Sequence, residues 1–207
     1  MARRGFDKRA ADSFRLASTA SMERLPTKLE GLVLIAPAVH GDARGFFLET
    51  YRADAWAAEG VPTEFVQDNH SRSRCGTLRG IHFQTHPGQG KLVRVARGRV
   101  LDVAVDLRRG SPTFGGWESF ELDDERGHQL YIPVGFGHGF CVLSETADFV
   151  YKCTAYYDAA TESGIRFDDP AVGVRWPEDV ELLYSERDRE APLLADVADS
   201  LPFRYDG

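Results

Sequence analysis

The chain has 207 residues, 43% hydrophobic and 28% charged, with a formal net charge of −7. That length suits one domain whose core needs no disulfide or metal staple, and the negative balance argues against a nucleic-acid-binding surface. No apolar run approaches the ~18 residues of a membrane-spanning helix. Three widely spaced cysteines, Cys75, Cys141 and Cys153, form no CxxC pair, which argues against a disulfide scaffold or zinc knuckle and fits a reducing cytoplasm.

Residues 1–24 carry six basic and three acidic side chains, so the remainder of the chain stands at −10. An anionic ligand of that body requires a local cluster of arginines. Residues 1–25 show little hydrophobic periodicity and read as a disordered extension ahead of a single domain over 26–207. No apolar stretch follows the basic start, against a secretory signal, and Asp7 and Asp12 count against a transit peptide. Met22 offers an alternative start just before the first patterned segment.

Strands and turns follow. An apolar run over 31–37 closes at Pro37, and an aromatic-rich run covers 45–51. One helix is expected over 53–59, ended by Gly60. Further strands are expected at 64–67, 77–84 and 91–107, the last turning at Arg97-Gly98-Arg99. Within it Leu101, Val103, Val105 and Leu107 alternate with Asp102, Ala104 and Asp106, the period of a half-buried strand. Strands at 117–122, 129–132, 139–143, 147–157 and 164–167 complete the pattern, and the last thirty residues read as turns or short helices wrapping the body. Ten or so short strands with one clear helix indicate an antiparallel sandwich or barrel.

Two stretches carry a recognisable β-barrel pattern. Gly127, Pro133, Gly135 and His138 have the spacing of the second cupin motif, while Gly76 with His82 and Lys91 with Gly98 outline the first. The fold implied is an all-β cupin, a double-stranded β-helix or jelly roll, with a few short helices. Metal cupins place two His and a Glu in the first motif and a His in the second. Here His82 and His138 keep two of those places, Gln84 takes the third and Lys91 stands near the fourth. A charged ammonium offers no lone pair, so the reading is a cupin without metal.

That substitution, together with Asp42–Phe46, Glu49, Gln67–Ser73, Leu78–Gln84, Gly90–Val95, Leu101–Arg108, Gly135–Phe140, Tyr151–Thr154 and Ser185–Asp188, resembles the dTDP-4-dehydrorhamnose 3,5-epimerase family over roughly Gly31 to Leu193. The resemblance implies inversion of carbons flanking the ketone of a dTDP-linked 4-keto-6-deoxysugar, converting dTDP-4-dehydro-6-deoxy-D-glucose to dTDP-4-dehydro-L-rhamnose without a cofactor. Such chemistry needs a base on one face, an acid on the other and a cation at the ketone oxygen. The resemblance assigns these roles to His82, Tyr151 and Lys91, with Asp188 orienting His82. An imidazole's ordinary pKa of about 6.5 suits the base, and Lys91 is expected to lower the pKa of Tyr151.

The same resemblance sets Arg44, Arg79 and Arg187 against the diphosphate, where guanidinium forks fit paired oxygens; the family usually has Lys at the place of Arg187. It gives Glu49, Gln67, Asn69 and Glu162 hydrogen bonds to nucleoside or sugar, Tyr157 a stacking role on the thymine, and His138 a place beside the diphosphate or sugar. Tyr156 reads as a core aromatic, and His86 and His128 as surface residues. The segment from Arg44 to Glu49 can come from a neighbouring subunit, so a homodimer with strand exchange is expected. Three alternatives stand beside this reading: an epimerase acting on one carbon of a related deoxysugar, a metal-dependent cupin, and a sugar-nucleotide-binding protein without catalysis.

Overall fold

The computed structural model describes residues 22–206. The stretch expected to be a disordered extension lies outside the described residues up to 21. Its last residues do not: β1, Glu23–Leu25, is already a strand, paired antiparallel with β2, Val33–Ala36. The hairpin β3, Val39–Asp42, and β4, Gly45–Leu48, follows. Next come α1, Ala53–Ala58, then β5, Gln67–Arg74, β6, Leu78–Gln84, β7, Lys91–Arg97, and β8, Arg99–Asp106. β9, Trp117–Asp123, β10, Gln129–Ile132, β11, Phe136–Val142, β12, Thr146–Cys153, and β13, Glu162–Gly164, complete the strands. Two short helices close the chain, α2, Glu186–Glu190, and α3, Leu194–Val197.

Apart from the separate two-stranded β3–β4 sheet, the strands build two antiparallel sheets, ordered β1-β2-β10-β7-β12-β5 and β13-β6-β11-β8-β9. Their inner faces share one apolar core. Val93, Val95, Leu130, Ile132 and Phe149 come from the first sheet, and Val100, Ala104, Phe120, Leu122, Phe136 and Phe140 from the second. This is the expected all-β jelly roll.

Both outer faces are also partly covered. Trp56 of α1 and Val61 pack on Val33, Ile35, Leu92 and Tyr131 outside the larger sheet. Outside the smaller sheet Leu194, Leu201 and Phe203 cover Ile81, Phe83, Val103, Val105 and Leu107. The alternation in β8 therefore has an unexpected sense. Its apolar Val103 and Val105 face the C-terminal wrap, while Asp102 shares the barrel-facing side with Val100 and Ala104.

The β7–β8 turn falls where expected, at Gly98, whose φ of +80° and closeness to the Thr146 carbonyl admit no side chain. Other boundaries move. β5 runs over Gln67–Arg74 rather than 64–67, because an edge strand of polar residues carries no apolar alternation. β11 begins at Phe136, three residues before expectation, through a glycine-rich stretch. β12 ends at Cys153, so Tyr156 sits in a loop and is 71% exposed, not in the core.

Candidate active site

Between the sheets, at one mouth of the barrel, lies a cavity of about 290 Å³ lined by Gln67, Asn69, Arg79, His82, Lys91, His138, Tyr151, Tyr157 and Glu162 among others. Most of these side chains arrive by strand periodicity, and Tyr157 comes from the loop after β12. Gln67 and Asn69 alternate inward on β5, and Gln67 Nε2 donates to Asn69 Oδ1 at 3.1 Å. On β12 Phe149 and Tyr151 point the same way, with Tyr151 in register with Asn69 and Val93. β7 opens with Lys91, and β13 brings Glu162 opposite Gln84.

His82 on β6 and His138 on β11 are direct cross-strand partners. The strands come close because Gly80 and Gly139 meet backbone to backbone: a Cβ on Gly80 would lie 2.4 Å from Gly139 Cα, and its φ is +130°. Each histidine has its own carboxylate. His82 Nε2 lies 2.5 Å from Asp188 Oδ1 across 106 residues of sequence. Asp188 is held in turn by Ser185, whose hydroxyl donates to Asp188 Oδ2 at 2.8 Å and accepts the Asp188 backbone N–H at 3.1 Å, capping α2. Burial pushes the Asp188 carboxyl up, but the hydrogen bonds from His82 and Ser185 outweigh it and leave it below the usual carboxylate range. His138 Nε2 lies 2.9 Å from Asp102 Oδ2, and its ring stacks on Phe149 at 5.9 Å.

Burial lowers the Lys91 ammonium from its ordinary value, against the opposing pull of Cys153, Glu162 and Asp102. Tyr151 departs from expectation. Burial raises its phenol, and the cation that partly offsets this is Arg79, not Lys91. Desolvation of a phenolate outweighs the neighbouring positive charge.

The mouth is polar. Arg187 Nη1 reaches Glu162 Oε2 at 2.7 Å, and the Tyr157 hydroxyl donates to the same oxygen at 2.9 Å. Arg187 and Asp188 line an adjoining cleft of about 540 Å³ that shares Arg79, His82 and Tyr151 with the first cavity. Gln84 is committed elsewhere: its amide bonds the Tyr156 carbonyl and the Asp158 N–H, tying down the loop after β12.

Two expected residues are not brought together with the rest. Arg44, in the β3–β4 turn, pairs with Asp42, and Glu49 faces Arg52 at 3.7 Å. Neither lines the cavity. The hairpin that carries them exposes Phe46 at 62% and Phe47 at 61%. Asp102 and Ser185 are site residues that pattern reading passed over. Asp102 had one signal, a charge in the middle of a largely apolar strand.

The family model described as dTDP-4-dehydrorhamnose 3,5-epimerase matches residues 26–196. A protein of that name from Pseudomonas aeruginosa is 51% identical over 83% of this chain and 94% of its own length. One from Neisseria gonorrhoeae is also 51% identical, over 81% of this chain, and the chain spans about half of that relative's length, 51%. Among solved structures, a dTDP-6-deoxy-D-glucose-3,5-epimerase from Legionella pneumophila, in complex with dTDP-4-keto-L-rhamnose, superposes with a TM-score of 0.87. It is 45% identical, over 90% of this chain and 100% of the other.

Proposed function

The chain belongs to the dTDP-4-dehydrorhamnose 3,5-epimerase family, and from that premise we propose that it converts dTDP-4-dehydro-6-deoxy-D-glucose to dTDP-4-dehydro-L-rhamnose. The observation that carries this reading is the 2.5 Å His82–Asp188 pair on a cavity that also holds Lys91 and Tyr151. With Nε2 given to Asp188, the other ring nitrogen of His82 is free to take a proton from the carbon beside the ketone. The electrons of that C–H bond delocalise onto the ketone oxygen as an enolate, which the Lys91 ammonium stabilises. Tyr151, whose raised pKa keeps it a phenol at neutral pH, then donates a proton to the opposite face of the carbon. Solvent restores Tyr151 and removes the proton from His82. The same groups act in turn at both carbons flanking the ketone.

Arg79 and Arg187 supply guanidinium forks for the diphosphate, so binding exchanges the Arg187–Glu162 pair for phosphate contacts. His138 stands beside the sugar or diphosphate. Tyr157, half exposed at the mouth, offers a ring for the thymine, and Gln67, Asn69 and Glu162 hydrogen-bond nucleoside or sugar. Arg44 and Glu49 serve a neighbouring copy's cavity rather than their own, which makes the working unit a homodimer joined by the exposed β3–β4 hairpin. Three free cysteines accord with a reducing cytoplasm, and among the described residues no helix is long and apolar enough to cross a membrane.

Proton NMR of the substrate with purified protein in D₂O tests the reaction. Deuterium at both C3 and C5, with L-rhamno product trapped by a 4-reductase, is expected. Inversion at one carbon alone makes the chain a mono-epimerase, and absence of exchange at either carbon overturns the catalytic reading. Mixing inactive His82→Ala protein with inactive Arg44→Ala protein tests the shared site. Recovered activity in the mixed dimer is expected, and none would confine Arg44 to its own subunit.

A further inference from the structure

Asp102 is fully buried on β8, its register partners being Phe120 on β9 and Phe140 on β11. Its Oδ2 meets His138 Nε2, and its Oδ1 has no hydrogen-bond partner among the described residues. A carboxylate oxygen without a donor inside an apolar barrel costs stability, and the strand would pack more simply with an apolar residue there. His138 pairs in register with Ala104, so Asp102 reaches its ring along the diagonal of the β8–β11 ladder. That contact turns the Nε2 edge of His138 into the barrel wall and leaves Nδ1 as the nitrogen available to the cavity.

We propose that Asp102 is a positioning residue of this site: its hydrogen bond fixes the tautomer and tilt of the His138 ring. The proposal rests on the epimerase reading for its kinetic consequence.

Asp102→Asn keeps an acceptor for His138 and removes the charge, whereas Asp102→Ala removes both. In Asp102→Ala, kcat is expected to fall about fivefold with KM little changed, and Asp102→Asn is expected to recover most of that loss. A kcat of Asp102→Ala within about twofold of wild type overturns the proposal even if the variant is less stable. One NMR readout needs no turnover. In the wild-type chain, ¹⁵N-imidazole NMR should find the His138 proton on Nε2, and a proton on Nδ1 overturns the proposal. If wild type exchanges no deuterium, the epimerase reading fails, while this measurement still decides the role of Asp102.

Discussion

His82 and His138 face each other across β6 and β11, yet the carboxylates that hold them differ in origin and surroundings. Asp188 comes from α2 near the C-terminus, has both oxygens satisfied by His82 and Ser185, and holds a ring whose side chain is 31% exposed. Asp102 comes from the barrel wall, leaves one oxygen unpartnered, and holds a ring that is only 9% exposed. A proton-transfer group must reach both substrate and, eventually, solvent, and must keep its tautomer through the cycle. The first pair meets those demands. The second is too enclosed to exchange protons with solvent and suits a fixed polar wall.

The sharpest way to break this comparison is to remove each imidazole in turn. His82→Ala should lower kcat about 10³-fold, the scale of a lost general base, and should abolish deuterium uptake. His138→Ala should retain uptake and lose about tenfold or less. Equal losses from the two would dissolve the distinction. Lys91→Ala, which removes the cation lining the cavity with both histidines, should cost roughly 3 kcal/mol in transition-state stabilisation, about a hundredfold in kcat/KM. A loss below tenfold would remove Lys91 from the enolate. Gly80→Ala tests the geometry that brings the two rings together. Its Cβ would strike Gly139 Cα, and its φ disfavours any side chain. At least ~2 kcal/mol of stability should be lost, read as a fall in Tm of about 4 °C or more. An unchanged Tm would mean that the strands part easily and that the rings are not fixed by this contact.

How much of this arrangement could be read from the residues follows from where each signal resides. His82, Lys91 and Tyr151 sit within runs that read as strands, so their strands were legible, while their place on the cavity came from the resemblance. Gln67 and Asn69 are two apart and so share a face of any strand that holds both, but the strand was set too early, at 64–67, and missed Asn69. β5 is polar on both faces and is specified by its ladder with β12, which no local pattern records. The His82–Asp188 contact joins residues 106 apart, and periodicity has no reach at that distance; the resemblance alone supplied it. Asp102 was visible as a charge in an apolar strand, but alternation alone does not tell which face is the barrel. Only the C-terminal cover on Val103 and Val105 makes the face bearing Asp102 the inner one. The exposure of Tyr156 and the direction of the Tyr151 shift depend on loop position and desolvation, which are properties of the assembled barrel.

The smallest effect concerns the residue that makes the first pair better supported than the second. Ser185→Ala removes the α2 cap and one of the two hydrogen bonds to the Asp188 carboxylate. Stability should fall by about 1 kcal/mol, the usual cost of a lost N-cap, read as ~2–4 °C in Tm. The loss should be largest at neutral pH and shrink on the acid side. Asp188 has a native pKa below its unfolded value of about 3.9, so its contribution is complete above that value and disappears as pH falls through the native one. Without Ser185 the native value rises toward the ordinary range. The part of the wild-type stability that Asp188 supplies is then smaller at neutral pH, and acid unfolding begins at a higher pH. Wild-type and variant acid-denaturation curves that coincide would show that Asp188 needs no support beyond His82, and the contrast between the two pairs would rest on exposure alone.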